Sequence, residues 1–351
     1  MRLQISFGRF VKLSAASMFA AALPLFAQVS LTGAGATFPA PIYQKWFAAY
    51  QSIGKVQINY QPNGSGGGIK AVTEGTTDFG ASDKPLDDGE LKAYHDKHGF
   101  DVLLFPTVIG AAVPSYNVPG VTQALNFSQE ALADIFLGKI KMWNDPKLKA
   151  DNPGVNLPDD KIVVVHRSDG SGTTYCWTDF LSKVSSEWNT KVGKPNTSVD
   201  WPTGIGAKGN DGVAGLIKQQ KGALGYVELI YAVKNHLPYG KVKNKDGKFV
   251  KADLESVTAA AAALKTMPPD FRASITNEAG ENVYPISTFT WMLVPEKISD
   301  PAKEKALSGF LKWAITTGQN SVESLDYARL PKEVVAQEEK AIGRIQVGKA
   351  E

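Results

Sequence analysis

Strand and helix signals alternate at short intervals from Val29 to Ala81, and this alternation restricts the possible folds more than any other feature of the chain. Val29-Ser30-Leu31 starts a strand; Ile42, Trp46, Ala49 and Tyr50 then fall on one face of a helix, with Tyr43 and Phe47 beside them. Val56, Ile58 and Tyr60 alternate as a second strand, Ile69 to Glu74 reads as a second helix, and Asp78-Phe79-Gly80-Ala81 reads as a third strand. Successive strands joined through helices lie side by side in the same direction, so the fold class is α/β with a mostly parallel sheet. Open sheets of this kind bind ligands outside the carboxyl ends of their strands. Those ends are where the chain places its glycines and hydroxyls.

Three such turns stand out. Thr32-Gly33-Ala34-Gly35-Ala36-Thr37-Phe38-Pro39 follows the first strand, and Gln61-Pro62-Asn63-Gly64-Ser65-Gly66-Gly67-Gly68 follows the second. Further on, the apolar Val163-Val164-Val165 runs through His166 and Arg167 into Ser168-Asp169-Gly170-Ser171-Gly172-Thr173-Thr174 and a helix. A helix start leaves backbone N–H groups unpaired and carries partial positive charge, so an oxyanion can sit there. Arg167 adds a forked, permanently charged donor. Thr37 is expected at the N-cap of the first helix, with Pro39 in its first turn, and Ser65 is expected to cap the second. Asp83, after the third strand, puts a carboxylate on the same edge. Any one of these turns alone is more often a plain cap than an anion site; three of them beside Arg167 and Asp83 point to an anion site.

Composition narrows the partners. A chain of 351 residues exceeds one ordinary core, so two α/β domains are expected. Residues 1–27 stand apart: Arg2, Arg9 and Lys12 precede an acid-free, largely apolar run from Leu13 to Phe26 that ends at Ala27, the pattern of a cleavable secretory signal peptide. Without its three basic residues the 38 Lys and Arg fall to 35, matching the 35 Asp and Glu. A neutral exported chain lacks the basic face of a nucleic-acid binder, so anion recognition has to be local. Cys176 is the single cysteine; it can form no internal disulfide, and no cysteine follows the apolar run to take a lipid.

Farther along, Asp87-Asp88-Gly89-Glu90 opens a helix with a capping box, and Ser128 caps a helix through Phe136 that Gly138 stops. Val102 to Phe105 is a strand broken by Pro106, and Val108 to Val113 continues beyond it. This is taken as a first crossing between domains, and the strand around Pro285 to Val294 as the return. Asn210-Asp211-Gly212 starts a short helix, Gly222 to Val227 forms a strand, and Pro301 to Thr317 an amphipathic helix. The division is therefore a leader at 1–27, one lobe from 28–107 plus 287–351, and a second lobe from 108–286. Two crossings would set the Thr37, Ser65 and Asp83 edge opposite the Arg167 turn, as a clamp that closes on a small ligand.

Gly33 to Pro41 (GAGATFPAP), Asp78 to Asp83 (DFGASD), Phe105 to Gly110 (FPTVIG) and Asp169 to Thr173 (DGSGT) resemble the periplasmic phosphate-binding receptors of bacterial ABC phosphate importers, the PstS type. Gly204 to Gly212, Gly225 to Glu228 and Leu325 to Pro331 continue the likeness in order over essentially the whole mature chain. The resemblance implies a two-lobed periplasmic-binding-protein fold, type II-like, with a two-crossing hinge. It implies that Thr37, Phe38 (through its backbone N–H), Ser65, Asp83, Arg167, Ser171, Gly172 and Thr173 contact phosphate, and that Asp169 holds the arginine fork. It further implies no cofactor, no catalysis, and delivery to membrane permease subunits with an ATPase behind them by a monomeric receptor. A carboxylate at Asp83 would accept the hydrogen bond of a protonated phosphate, whereas sulfate would leave it facing lone pairs, a mismatch of the kind that rejects an analogue by about 10⁴-fold.

Enzyme readings are weaker. Ser171 lacks the Gly-x-Ser-x-Gly pattern of a nucleophile elbow, since Thr173 occupies the last position, and the turn lacks the lysine of a nucleotide P-loop. His95 and His98 have no companion ligands nearby in sequence and read as a solvated face; Cys176 and the Tyr43, Trp46, Phe47 and Tyr50 stripe read as core.

Overall fold

Hydrogen-bonded strands follow one another in the order Val56–Gln61, Val29–Gly35, Phe79–Ser82, Ser287–Pro295, Val102–Tyr116, Ala223–Glu228, Val163–Arg167 and Ile205–Ala207 across one eight-stranded sheet. The computed structural model describes Met1, Gln4 and residues 28–121 and 123–348, so the apolar leader lies outside the described residues. Val29–Gly35 pairs in parallel with both Val56–Gln61 and Phe79–Ser82. At the other end Val163–Arg167 pairs in parallel with Ala223–Glu228 and Ile205–Ala207. Each half contains one strand that runs the other way. Ser287–Pro295 is antiparallel to Phe79–Ser82 and to Val102–Tyr116, and Val102–Tyr116 is antiparallel to Ala223–Glu228. The mostly parallel α/β architecture read from the sequence therefore forms, with the two expected crossing strands at its centre.

Pro106 does not break its strand. Val102–Tyr116 is continuous and wholly buried, pairing by its first part with Ser287–Pro295 and by its last residues, Ala112 to Tyr116, with Ala223–Glu228. The register shifts there: Trp291 faces Pro106 and Thr290 faces Val108, leaving Thr107 as an extra residue. Such a bulge tolerates a proline that cannot donate to the ladder. Thr107 Oγ1 donates instead to Thr290 O at 3.2 Å and lies 2.8 Å from the Tyr43 hydroxyl.

Helices cover the sheet for the reasons the apolar spacing suggests. On Ala40–Gly54 the residues Ile42, Tyr43, Trp46, Phe47 and Tyr50 are buried, and their rings pack on Tyr60 and on Phe310 and Trp313 of the Pro301–Ile315 helix. Burying one such side chain contributes about 1.5–3 kcal/mol, so this aromatic layer anchors the first two helix–strand units. Asp87 and Glu90 form the capping box of Asp88–His98, and Ser128 caps Gln129–Phe136 by accepting from Ala131 N. Among the described residues no helix is long and apolar enough to cross a membrane.

Candidate functional site

The sheet's carboxyl edges bring the three turns together. Thr37 is not an N-cap: the Ala40–Gly54 helix begins after Pro39, which makes no side-chain cap. The Thr37 hydroxyl accepts instead from Asn210, from Nδ2 at 2.8 Å and from the backbone N at 3.3 Å. Ser65 is not a cap either. It is the first residue of Ser65–Glu74, after Gly64, and its Oγ accepts from Asp83 N at 3.2 Å and from Gly172 N at 3.0 Å. In both turns a distant donor claims the hydroxyl that local propensity would assign to the adjacent helix. Of the three turns' hydroxyls only Ser171 caps its own helix, Gly172–Val184, by accepting from Thr174 N at 3.1 Å.

Ser65, Ser171 and Thr173 are fully buried, Asp83 is 1% exposed and Arg167 4%. A guanidinium at such depth needs a partner, and Asp169 supplies it in fork-to-fork geometry: Nε to Oδ1 at 2.8 Å and Nη2 to Oδ2 at 2.6 Å. Nη1 faces Thr173 Oγ1 at 3.5 Å. Burial alone would raise the Asp169 pKa, but Arg167 and the Gly209 N–H outweigh it and hold the carboxyl below its usual range. Arg167 N in turn donates to the Tyr226 hydroxyl at 3.2 Å.

Asp83 is the opposite case. Its carboxyl accepts from the Thr290 hydroxyl and from Ser65, yet burial pushes its pKa up to about 7, even with Arg167 nearby pulling it down. Desolvation disfavours the charged form, and Arg167 has already committed two donors to Asp169. The site therefore holds a carboxyl that exchanges a proton near neutrality beside a permanently charged arginine.

The backbone completes the arrangement. The Phe38 residue is fully buried, and among the described residues its N–H has no protein acceptor. Gly66 N donates to Gly170 O at 2.9 Å, so the second and third turns touch. A Cβ on Gly172 would lie 2.5 Å from Asp83 Cβ and 2.5 Å from Ser65 Oγ.

All nine residues singled out in the sequence thus converge. Asn210, Thr290 and Tyr226 were missed. Asn210 also donates to Thr173 Oγ1 at 3.2 Å and accepts from Glu228 N at 2.9 Å, tying the first and third turns together. The alternatives lose ground on the same contacts. His166 stacks on Trp201 with ring centroids 4.9 Å apart, and its Nδ1 faces Arg167 O, while Ser171 Oγ serves the helix start. His95 bonds to Asp101 and His98 to Thr73 O, and no group of three or more His, Cys, Asp or Glu among the described residues is placed to hold a metal. Cys176 is buried in the core.

Residues 24–317 match the PBP superfamily domain. Over 308 residues the chain is 46% identical to the phosphate-binding protein PstS of Pasteurella multocida, covering 87% of this chain and 88% of that one. The chain belongs to the PstS phosphate-binding protein family. The likeness includes the phosphate-binding protein PstS of Methanocaldococcus jannaschii, at 41% identity over 86% of this chain and 82% of that one. In fold, the chain is similar to a high-affinity periplasmic phosphate-binding protein (PfluDING) bound with phosphate, at a TM-score of 0.74 and 21% identity, covering 89% of this chain and 93% of that one. A phosphate-binding protein from Stenotrophomonas maltophilia gives 0.69 at 21% identity, with 89% and 93% covered. The PstS-family fold is the two-lobed α/β arrangement, and the crossing strands Val102–Tyr116 and Ser287–Pro295 run through its centre.

Proposed function

We propose that this chain is an extracytoplasmic receptor that closes over one inorganic phosphate and passes it to the permease subunits of an ABC importer driven by its ATPase. The lobes meet at residues 107/108 and 286/287, within or beside the crossing strands, and the ligand sits between them. Arg167 supplies the charge, with Asp169 fixing its fork. Thr37, Ser65, Ser171 and Thr173 supply hydroxyls, Phe38 supplies an unpaired backbone N–H, and the Gly172 N–H, which donates to Ser65 Oγ at 3.0 Å, is shared between that hydroxyl and the ligand. The observation that carries this reading is the pairing of a buried, committed arginine with an Asp83 carboxyl whose pKa is raised to about 7.

That pairing selects by proton count. One proton belongs between Asp83 and the ligand, and protonated phosphate brings it. Sulfate brings none, so above about pH 7, where Asp83 is ionised, it meets the carboxylate as lone pair against lone pair and charge against charge. Leaving a buried charged group so unsatisfied costs more than the roughly 1–3 kcal/mol of a neutral one, and the discrimination grows accordingly. No chemistry is asked of the site. Export directed by residues 1–27 would deliver the receptor to the periplasm, where it works as a monomer.

Calorimetric titration of the anion-stripped protein at about pH 8.5, well above the Asp83 pKa of about 7, tests the reading. One phosphate per chain at a Kd of about 1 µM or tighter, equivalent to about −8 kcal/mol, with sulfate silent, is the expected result. Folded protein that ignores phosphate would overturn it, and turnover of a chromogenic phosphate ester would replace it with an enzyme.

A further inference from the structure

Three consecutive carbonyls of the first turn are each held by a tyrosine hydroxyl, those of Tyr231 and Tyr327 buried and that of Tyr60 part-buried. Tyr60 Oη donates to Ala36 O at 2.7 Å, Tyr231 Oη to Thr37 O at 2.6 Å, and Tyr327 Oη to Phe38 O at 2.6 Å. The three come from remote parts of the chain: the Val56–Gln61 strand, the Leu229–Lys234 helix, and the segment after the Glu323–Leu325 turn. A phenol has one proton to give; Tyr60 and Tyr231 give it to this row of backbone oxygens, and Tyr327, whose Oη also lies 3.4 Å from Glu228 Oε2, has its shorter bond to the same row.

We propose that Tyr60, Tyr231 and Tyr327 are positioning residues that aim the Thr37 and Phe38 N–H groups at the bound phosphate, and that Tyr231 makes this aim complete only when the lobes are together. The inference rests on the phosphate reading above. A planar trans peptide points its N–H opposite its C=O, so fixing Ala36 O and Thr37 O fixes the N–H of Thr37 and of Phe38. Neither N–H has a protein acceptor among the described residues, although Thr37 is 5% exposed and Phe38 fully buried. Buried backbone donors are almost always paired, so two unpaired ones side by side mark the direction from which an external acceptor comes. Pro39 has no N–H, and the third tyrosine therefore fixes where the chain leaves the turn. Ala36 N donates to Ala81 O at 2.9 Å and pins where it enters.

Tyr60 and Tyr327 come from the same lobe as the turn, and Tyr231 comes from the other. Its bond to Thr37 O crosses the cleft and is made by closure. Burial, with neighbouring acids and tyrosines, holds all three phenols above their usual pKa, so they remain donors across the working pH range.

The test is phosphate titration, dissociation kinetics and the Phe38 amide proton resonance in wild type and in Tyr60→Phe, Tyr231→Phe and Tyr327→Phe, with Tyr94→Phe as the control. Tyr94 is a buried tyrosine on the Asp88–His98 helix, away from the turn. Each of the three variants is expected to weaken phosphate about 5- to 10-fold, the worth of one aligned hydrogen bond, and to move the bound-state Phe38 resonance back toward its free position. Tyr231→Phe is expected to act through faster dissociation and to leave the free-state resonance unchanged, whereas Tyr60→Phe shifts both. Wild type that binds phosphate, with all three folded variants matching it in Kd and Phe38 resonance, overturns the proposal. Wild type that fails to bind phosphate overturns the parent reading instead. If one variant does not fold, the other two decide.

Discussion

Gly172→Ala is the substitution whose consequence follows most directly from the geometry. The new methyl would lie 2.5 Å from Asp83 Cβ, 2.5 Å from Ser65 Oγ and 2.6 Å from Asp83 N. Carbon atoms pack at about 3.5–4 Å, so the two turns must separate by roughly 1 Å. All three obstacles are short, buried groups with no flexible end to swing aside. Separation lengthens Gly172 N to Ser65 Oγ from 3.0 Å and Gly66 N to Gly170 O from 2.9 Å, past the range where either bond holds. Each is worth about 0.5–1.5 kcal/mol net, so the closed form loses about 2 kcal/mol, or roughly 30-fold in phosphate affinity, before any misplaced ligand contact is counted. Gly172 does not have a positive φ, and it opens its helix, so alanine carries no backbone penalty there. The free, opened protein should keep its stability within about 1 kcal/mol. Calorimetry gives the affinity, and small-angle scattering gives the contraction on adding phosphate, which wild type should show and the variant should not. Wild-type affinity together with wild-type contraction in Gly172→Ala would refute the argument that closure brings Asp83 and Gly172 into contact.

The other predictions are independent of one another. Asp83→Asn should weaken phosphate about 10-fold while strengthening sulfate, since the amide can turn its N–H to a fully ionised oxyanion; in wild type, sulfate binding should emerge as pH falls below about 7, where Asp83 itself carries the proton. A phosphate-to-sulfate ratio unaffected by Asp83→Asn or by pH removes Asp83 as the selector. Gly215→Ala, on the Gly209–Gln219 helix where a Cβ meets nothing within 4 Å, should add about 0.5–1 kcal/mol in chemical denaturation and leave phosphate binding alone. Glu338 is fully buried on Lys332–Ile342 with no hydrogen-bond partner for either carboxyl oxygen among the described residues, and burial holds its pKa well above the usual value. The folded state therefore prefers the neutral acid, and wild type should lose stability as pH rises above the unfolded value of about 4.3, at up to 1.4 kcal/mol per pH unit; Glu338→Gln should abolish that part of the slope, seen in melting curves from pH 4 to 8.

What was legible in the sequence was everything carried by a contiguous turn. The glycine and hydroxyl runs, Arg167 with Asp169 two residues on, and Asp83 after its strand all sit where neighbouring residues placed them. Thr37 and Ser65 show the limit: helix-capping propensity chose the right residues for a local reason, and the structure employs their hydroxyls across the molecule, on Asn210 and on Asp83 and Gly172. Asn210 and Thr290 could not be found by local pattern, because their partners lie 173 and 207 positions away. Their one signal was a polar residue in an apolar setting, Thr290 between Phe289 and Trp291. The expected break at Pro106 failed because proline's missing donor was weighed without the partner strand, which supplies a bulge.

The Val102–Tyr116 strand has a mechanical meaning for how the molecule comes apart. It is laddered at one end to Ser287–Pro295 and at the other to Ala223–Glu228, with every residue buried. A two-lobed protein joined by bare linkers could melt one lobe and keep the other. Here, unfolding either lobe strips half the pairing from a strand that the other lobe needs, and exposes its apolar face to water. The lobes share their cooperativity, and heat should remove them in a single transition.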